Sequence, residues 1–158
     1  RLPAGYDMYR RVGWAATDAT SDLLEFWQVG EGQERTYYWD SPVRVLTAGA
    51  STTYAALAVA IGITPDTSAP AVPPLATNIL LGLAHTPDAA DDIVDFLPYG
   101  SASTGAGVVR FGTGVDAIQV GSVWVPCRLN SGVPTVLYRV ETSAVLTASV
   151  AGFVDLLT

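Results

Sequence analysis

Lysine is absent from this chain, and cysteine, histidine and methionine each occur once. The eight basic residues are therefore all arginines, and with fifteen acidic residues they give a formal net charge of −7. A chain of this charge repels phosphate backbones, and its arginines do not cluster beyond Arg10 and Arg11, so no nucleic-acid partner is expected. The single cysteine, Cys127, excludes an intrachain disulfide and any site that needs several cysteines. Its setting in VWVPCRL predicts a buried structural thiol.

Charged residues are scarce as well: they form 15% of the chain, against about 25% in average proteins. Hydrophobic residues form 49%, which is not the composition of a disordered chain. A length of 158 residues suits one domain with a core of its own, so a single domain over residues 1–158 is predicted. An exterior with so few charges is expected to be covered in part by partners.

Long hydrophobic runs are also missing. The longest, YAALAVAIGI from Tyr54 to Ile63, is too short to cross a bilayer, so no membrane insertion is expected. The first residues do not have the pattern of a signal peptide. Because the sequence starts at Arg1 rather than at methionine, we expect it to be the C-terminal part of a longer chain.

Short runs of β-branched and aromatic residues recur between turn signals. The segments YDMYRRVGW, LLEFWQVG, RTYYWDSPVRVL and TTYAALAVAI are separated by polar or glycine-containing stretches, a spacing typical of antiparallel sandwiches. In the last third of the chain, alternation predicts that one face of a strand holds Val123, Val125, Cys127 and Leu129, opposite Trp124 and Arg128. After an NSG turn, it predicts a second strand with Val136, Tyr138 and Val140 on one face.

Proline and glycine concentrate in two segments, TPDTSAPAVPPLATN and GSASTGAGVVRFGTG, which are predicted to be long connections. Between them, Thr86 and Pro87 followed by acidic residues match a helix N-cap and first turn, so one helical turn is predicted there. The predicted fold class is all-β: an antiparallel, jelly-roll-like β-sandwich with long Pro- and Gly-rich loops.

Motifs for catalysis are lacking. His85 follows an apolar run, and none of the serines lies in a G-x-S-x-G sequence, so a histidine-activated nucleophile is not expected. The acidic residues Asp88, Asp91, Asp92 and Asp95 lie close together in the sequence. They could form a calcium-binding loop, or they could be solvated charges or charges at a helix N-terminus, and the second interpretation is favoured. We therefore predict no enzymatic activity, no cofactor and no metal. Paired carboxylates of a glycoside hydrolase cannot be assigned from sequence, although candidates exist at Glu25, Glu31, Glu34, Asp40 and Glu141.

Aromatic residues concentrate near the start of the chain. Because Tyr38 and Trp39 are adjacent in a predicted strand, they point to opposite faces. Sandwich packing on both faces is one interpretation, and an aromatic surface presented to a partner or a sugar is the other. The candidate glycan-binding residues are Trp39 beside Asp40, with Tyr38.

Three segments, LPAGYDMYRRVGWAATDATSDLLEFWQVGE, YYWDSPV and AGFVDLL, together resemble a recurrent pattern of tailed-bacteriophage virion-associated proteins, which are described as tail-fibre or spike-like. LPAGYDMYRRVGWAATDATSDLLEFWQVGE matches Leu-Pro-x-Gly-Tyr, an Arg-Arg-[Ile/Val]-Gly core, Thr-Asp and an aromatic-x-Gln-x-Gly sequence. The matching positions are Leu2, Pro3, Gly5, Tyr6, Arg10, Arg11, Val12, Gly13, Thr17, Asp18, Phe26, Gln28 and Gly30. YYWDSPV resembles the same family's strand, and AGFVDLL its C-terminal end, with Phe153 in place of tryptophan.

The resemblance implies a structural or attachment component on the surface of a phage or phage-like particle. The leading hypothesis is a fibre or spike module for host attachment, a homo-oligomer with a trimer favoured, in contact with other virion proteins and with a host-surface glycan. Alternatives are a capsid decoration protein and a glycan depolymerase. In such an assembly a strand is covered on both sides. We therefore expect Arg10 or Arg11 to be buried and paired, for instance with Asp18 or Glu25.

Overall fold

The protein is described by a computed structural model over residues 25–30, 34–59, 72–87, 92–102, 109–112, 118–141 and 145–156. Every regular element in these ranges is a β-strand, and every pairing is antiparallel. The strands are β1 (Phe26–Val29), β2 (Glu34–Gly49), β3 (Ala55–Ala58), β4 (Ala76–Thr86), β5 (Ile93–Pro98), β6 (Val109–Gly112), β7 (Gln119–Pro126), β8 (Arg128–Asn130), β9 (Val133–Val140) and β10 (Val145–Leu156). The described part of the chain contains no helix with the length and apolarity needed to span a bilayer.

The strands form two sheets in a jelly-roll order. Sheet I runs β1-β2-β10-β4-β7, and sheet II runs β3-β9-β5-β6, with β8 added beside β9. Four pairs are nested within one another: β2 with β10, β3 with β9, β4 with β7, and β5 with β6. A long hairpin wound over itself in this way is the double-sheet jelly roll. The predicted fold class is confirmed.

The core lies between the two sheets. In sheet I, alternate residues of the central strands point inward, so Ile79 and Leu81 of β4 face Phe153 and Val150 of β10. Sheet II contributes Phe96 together with Val136 and the other inward residues of β9. The predicted inward set Val136, Tyr138 and Val140 is buried, as the alternation indicated.

Strand β10 contains an irregularity that decides which side chains face inward. Its register shifts between Val150 and Gly152 against both of its neighbours, β2 and β4. Strict alternation from Val150 would turn Gly152 inward and Phe153 outward. The register shift adds one residue to β10 between Val150 and Gly152, as in a β-bulge. This extra residue reverses the order, so Phe153 enters the core and Gly152 lies on the outer face.

The hairpin between β8 and β9 confirms the predicted NSG turn. Asn130 pairs with Val133, and the two residues between them, Ser131 and Gly132, have φ angles of 51° and 87°. Two consecutive positive φ angles match a type I′ turn, which suits the twist of the adjoining strands. One predicted position was wrong: Leu129 is 48% exposed, because β7 ends at Pro126 and β8 begins a separate strand of sheet II.

Strand β5 was not predicted, because its segment was interpreted together with the acidic residues before it. Four consecutive residues from Val94 to Leu97 are buried, so the strand lacks the alternation of a strand with one wet face. The helical turn predicted after Pro87 falls mostly on residues 88–91, which lie outside the described residues.

We expect Cys127 not to react with a thiol reagent at mildly alkaline pH in the native protein. The residue is buried, and its Sγ donates a hydrogen bond to the Ala76 carbonyl oxygen over 3.2 Å. Burial raises the pKa of the thiol from its ordinary 9.0 to about 11. Ellman's reagent added to native and to guanidinium-denatured protein measures this. Equal rates in the two states would contradict the buried placement.

The same shift of the Cys127 pKa predicts a contribution to stability at alkaline pH. Because the folded state holds the proton more tightly, the contribution is complete below pH 9.0 and is lost as the pH rises to about 11.

Candidate functional site

A row of side chains crosses the outer face of sheet I, the side turned away from sheet II. The pairings place Trp27 opposite Tyr38, Tyr38 opposite Gly152, Gly152 opposite Leu80, and Leu80 opposite Trp124. Directly paired antiparallel residues point to the same side, so these five positions form one line across all five strands. We call this line the aromatic row.

The rings of Tyr38 and Trp124 touch each other above the intervening strands. Their centroids lie 6.4 Å apart with the planes at 73°, an edge-to-face arrangement. Each residue is 38% exposed, and Trp27 at the edge of the row is 70% exposed. The row therefore presents ring surface to solvent.

Gly152 provides the space on which the Tyr38 ring lies. A Cβ atom at this position would be 2.4 Å from the Tyr37 carbonyl oxygen and 3.2 Å from Cδ1 of Tyr38. The first of these contacts is with backbone, which cannot move aside cheaply. A glycine is therefore required both for the close approach of β2 and for the position of the aromatic ring.

Exposed apolar side chains are concentrated on this outer face. Of nine large hydrophobic residues that are exposed among those described, six lie on it. They are Trp27, Val29, Tyr38, Val120, Trp124 and Val145, and exposed Ile118 directly precedes β7. An apolar surface gathered on one side of a molecule is typical of an interaction site.

A shallow groove of about 280 Å³ lies on the same face, next to the aromatic row. It is lined by the outward residues of four strands together with adjoining backbone: Pro42, Arg44, Gly82, Leu83, Ala84, Val120, Gly121, Thr147 and Ser149. Gly82 follows Leu80 by two residues on β4, which places the groove about 7 Å along the sheet from the row. The row and the groove form one continuous surface.

Arg44 brings a positive charge to this groove. It is exposed and pairs across the strands with Ser149. Among the residues that the structure describes, no carboxylate forms an ion pair with it. The guanidinium is therefore available to an external acceptor.

The predicted glycan-binding residues are divided between the two faces of β2. Tyr38 belongs to the aromatic row, and Asp40 is exposed. Trp39 is a correction: it is 5% exposed and packs edge-to-face against Phe26 in the core. Its ring is buried against Phe26 and Phe153 and cannot be the glycan contact.

The predicted arginine pairing cannot be placed, because Arg10, Arg11 and Asp18 lie outside the described residues, while Glu25 is exposed. A partly buried ion pair exists elsewhere, between the half-buried Arg139 of β9 and the buried Asp95 of β5. The hydrogen bond from Arg139 to Asp95 raises the pKa of the guanidinium, and Arg139 also lies 5.2 Å from the ring centroid of Tyr54.

The other candidate residues for chemistry are placed in structural positions. His85 is fully buried on the inward face of β4, opposite Leu146. Asp92 and Asp95 are buried, whereas Asp88 and Asp91 fall outside the description. In the described ranges, no three histidine, cysteine or carboxylate residues come together as a metal site would require.

Comparisons with known proteins identify no family. Neither a family model nor a curated protein matches the chain. Two solved structures each cover 92% of this chain and 100% of their own at 13% identity. One is the carboxy-terminal domain of the turkey type 3 siadenovirus fibre, virulent form, with a TM-score of 0.31. The other is that domain of the avirulent form complexed with 3-sialyllactose, with a TM-score of 0.26. TM-scores this low carry no conclusion about this chain.

Several residues of this face were not singled out from the sequence. Alternation placed Trp124 opposite the inward face of its strand, but nothing local showed that it would meet Tyr38. Trp27, Arg44 and Gly152 join the surface only through the register of three strand pairs. Such pairs link residues as far apart in the sequence as Tyr38 and Gly152, a separation that the period of a single strand does not encode.

Proposed function

We propose that this protein is a structural and attachment module on the surface of a phage or phage-like particle, part of a fibre or spike. The observation that supports this most directly is the exposed aromatic row on the outer face of sheet I. The row is not needed to close the core, which is filled from the opposite side of the same strands. A host-surface glycan is the ligand that we assign to it.

The chemistry of the row suits a sugar. Tyrosine and tryptophan combine a flat apolar ring with a polar group, so they can cover the apolar face of a sugar ring while its hydroxyls stay solvated. Tyr38 and Trp124 are held together by their mutual contact, which lowers the entropy lost on binding. Asn78, half-buried two residues from Leu80 on β4, adds an amide beside the row.

In this proposal the module is a homo-oligomer, with a trimer favoured, and it has no catalytic role. A capsid decoration protein would share the fold but bind the shell, so imaging its position on the particle separates the two functions. A depolymerase would release reducing ends from the polysaccharide that it binds. If the protein released reducing ends, and if replacing one of its carboxylate side chains abolished that release, the protein would be an enzyme and the non-catalytic assignment would be wrong.

We expect Tyr38→Ala and Trp124→Ala each to weaken binding to a responsive glycan by about tenfold, because each removes ring surface from the row. Glycan-array screening followed by titration of the responsive glycans measures the effect. Leu129→Ala is the control, since Leu129 is also an exposed large apolar residue but lies in β8 of sheet II.

Unchanged affinity in both aromatic variants would reject the row as the contact surface. Dissociation of an oligomer by the same variants, seen by analytical ultracentrifugation, would instead identify the face as a subunit interface and would also count against the proposal.

A further inference from the structure

We propose that the groove beside the aromatic row binds an acidic sugar, with Arg44 receiving its carboxylate. This inference rests on the proposed function, since it specifies which class of glycan the attachment face would recognise. The chemistry in question is a carboxylate on a sugar ring, as in a uronic acid unit.

Arg44 lies where it can bind a carboxylate in the groove. The arginine lines the groove, and it has no ion-pair partner among the described residues. A guanidinium presents a planar fork of donors that matches both oxygens of a carboxylate. The other charged residues on the outward side of β2, Glu34 and Asp40, would not bind an anion, so Arg44 selects the sign of the ligand.

The rest of the groove lining offers hydroxyl groups and small apolar side chains. Ser149 and Thr147 offer hydroxyl groups on β10, next to the exposed edge of Val120. A sugar presents hydroxyl groups beside patches of apolar C–H surface. The groove offers matching groups: hydroxyls that donate and accept hydrogen bonds, next to small apolar side chains. A second protein copy would need to supply its own carboxylate to Arg44 and acceptors to these hydroxyls, and an acidic sugar supplies both within one small unit.

The groove lies directly beside the aromatic row on the outer face of sheet I. Two residues along β4 separate Leu80 in the row from Gly82 in the groove, a distance of about 7 Å. An oligosaccharide can therefore place one ring against Tyr38 and Trp124 and a neighbouring acidic unit beside Arg44. The aromatic row would contribute contact area, and Arg44 would make binding specific for acidic glycans.

Gly82 gives a way to block the groove without disturbing the fold. A Cβ atom at this position would lie 3.8 Å from the Ser149 carbonyl oxygen, which is an ordinary van der Waals contact. Gly82→Val therefore places a side chain at the groove with no close contact at its Cβ atom, and valine suits a strand better than glycine does. Circular dichroism and thermal unfolding confirm that the variant is folded.

The experiment titrates uronic-acid oligosaccharides and their carboxyl-reduced counterparts against the full chain and against Arg44→Gln, Gly82→Val and Arg128→Gln. We expect the reduced sugars to bind at least tenfold more weakly than the acidic ones. Arg44→Gln should abolish that preference, so that the acidic and the carboxyl-reduced sugars bind the variant with equal affinity. Gly82→Val should weaken the acidic sugars, and Arg128→Gln, a control at an exposed arginine of β8, should change nothing.

Two outcomes would overturn this inference, and they differ in what they imply for the proposed function. Equal binding of acidic and reduced sugars that still depends on Tyr38 and Trp124 would reject the role of Arg44 and leave the attachment function intact. Absence of binding to every sugar, together with normal particle attachment in Tyr38→Ala, would reject both.

Discussion

Replacement of Phe153 by alanine is expected to lower the free energy of unfolding by about 3–5 kcal/mol, the usual range for a buried phenylalanine. Phe153 is 1% exposed and stacks on Tyr37, with ring centroids 4.8 Å apart and planes within 12° of each other. It also lies 6.0 Å from the Trp39 ring, so alanine leaves a cavity among rigid aromatic neighbours that cannot collapse to fill it. Urea unfolding followed by tryptophan fluorescence measures the change.

The control for this variant is Leu129→Ala, at a side chain that is 48% exposed, where a change within about 0.5 kcal/mol is expected. A loss of less than about 1 kcal/mol for Phe153→Ala would show that the ring is not enclosed as described. Such a result would also question the register shift in β10, because that shift is what turns Phe153 into the core.

Replacement of Arg139 by glutamine is expected to cost about 3 kcal/mol, at the lower end of the range for breaking a buried ion pair. The Asp95 side chain is 1% exposed and keeps a carboxylate in the core, whereas the Arg139 side chain is 30% exposed. The variant deprives this buried charge of its arginine and also removes the cation from the Tyr54 ring. Chemical denaturation near neutral pH gives the free-energy difference.

A double-mutant cycle with Asp95→Asn separates the pair energy from the packing of the arginine stem. Arg128→Gln serves as the matched control, since this arginine is exposed and forms no ion pair among the described residues. If Arg139→Gln were no more costly than Arg128→Gln, the contact between β5 and β9 would be a surface pair with little effect on stability.

Much of the fold could be predicted because its signal is local. Alternation of apolar residues depends only on the two-residue period of a strand, and it located the inward faces of β7 and β9. The NSG turn could be predicted because few residue pairs accept consecutive positive φ angles. Strand β5 was missed since an aspartate interrupts its apolar run, and the arginine that makes this aspartate acceptable lies 44 positions further along.

The candidate site could be predicted only in part. Because Tyr38 and Trp39 are adjacent, one of them had to face outward, but the sequence favoured Trp39 as the sugar contact. The stack of Phe26 and Phe153 against the inward side of β2 determines that Trp39 is the buried member. That choice depends on which rings arrive from other strands, and composition and spacing carry no information about it.

By itself, the sequence determined an antiparallel jelly-roll-like sandwich with little charge, because strand period, turn chemistry and composition are properties of short segments. Only the tertiary structure decided that Trp27, Tyr38 and Trp124 stand in one line beside Arg44. Their alignment depends on strand register and on the extra residue in β10 that turns Gly152 outward. Register is set by how two sheets pack over one core, so no single segment contains it.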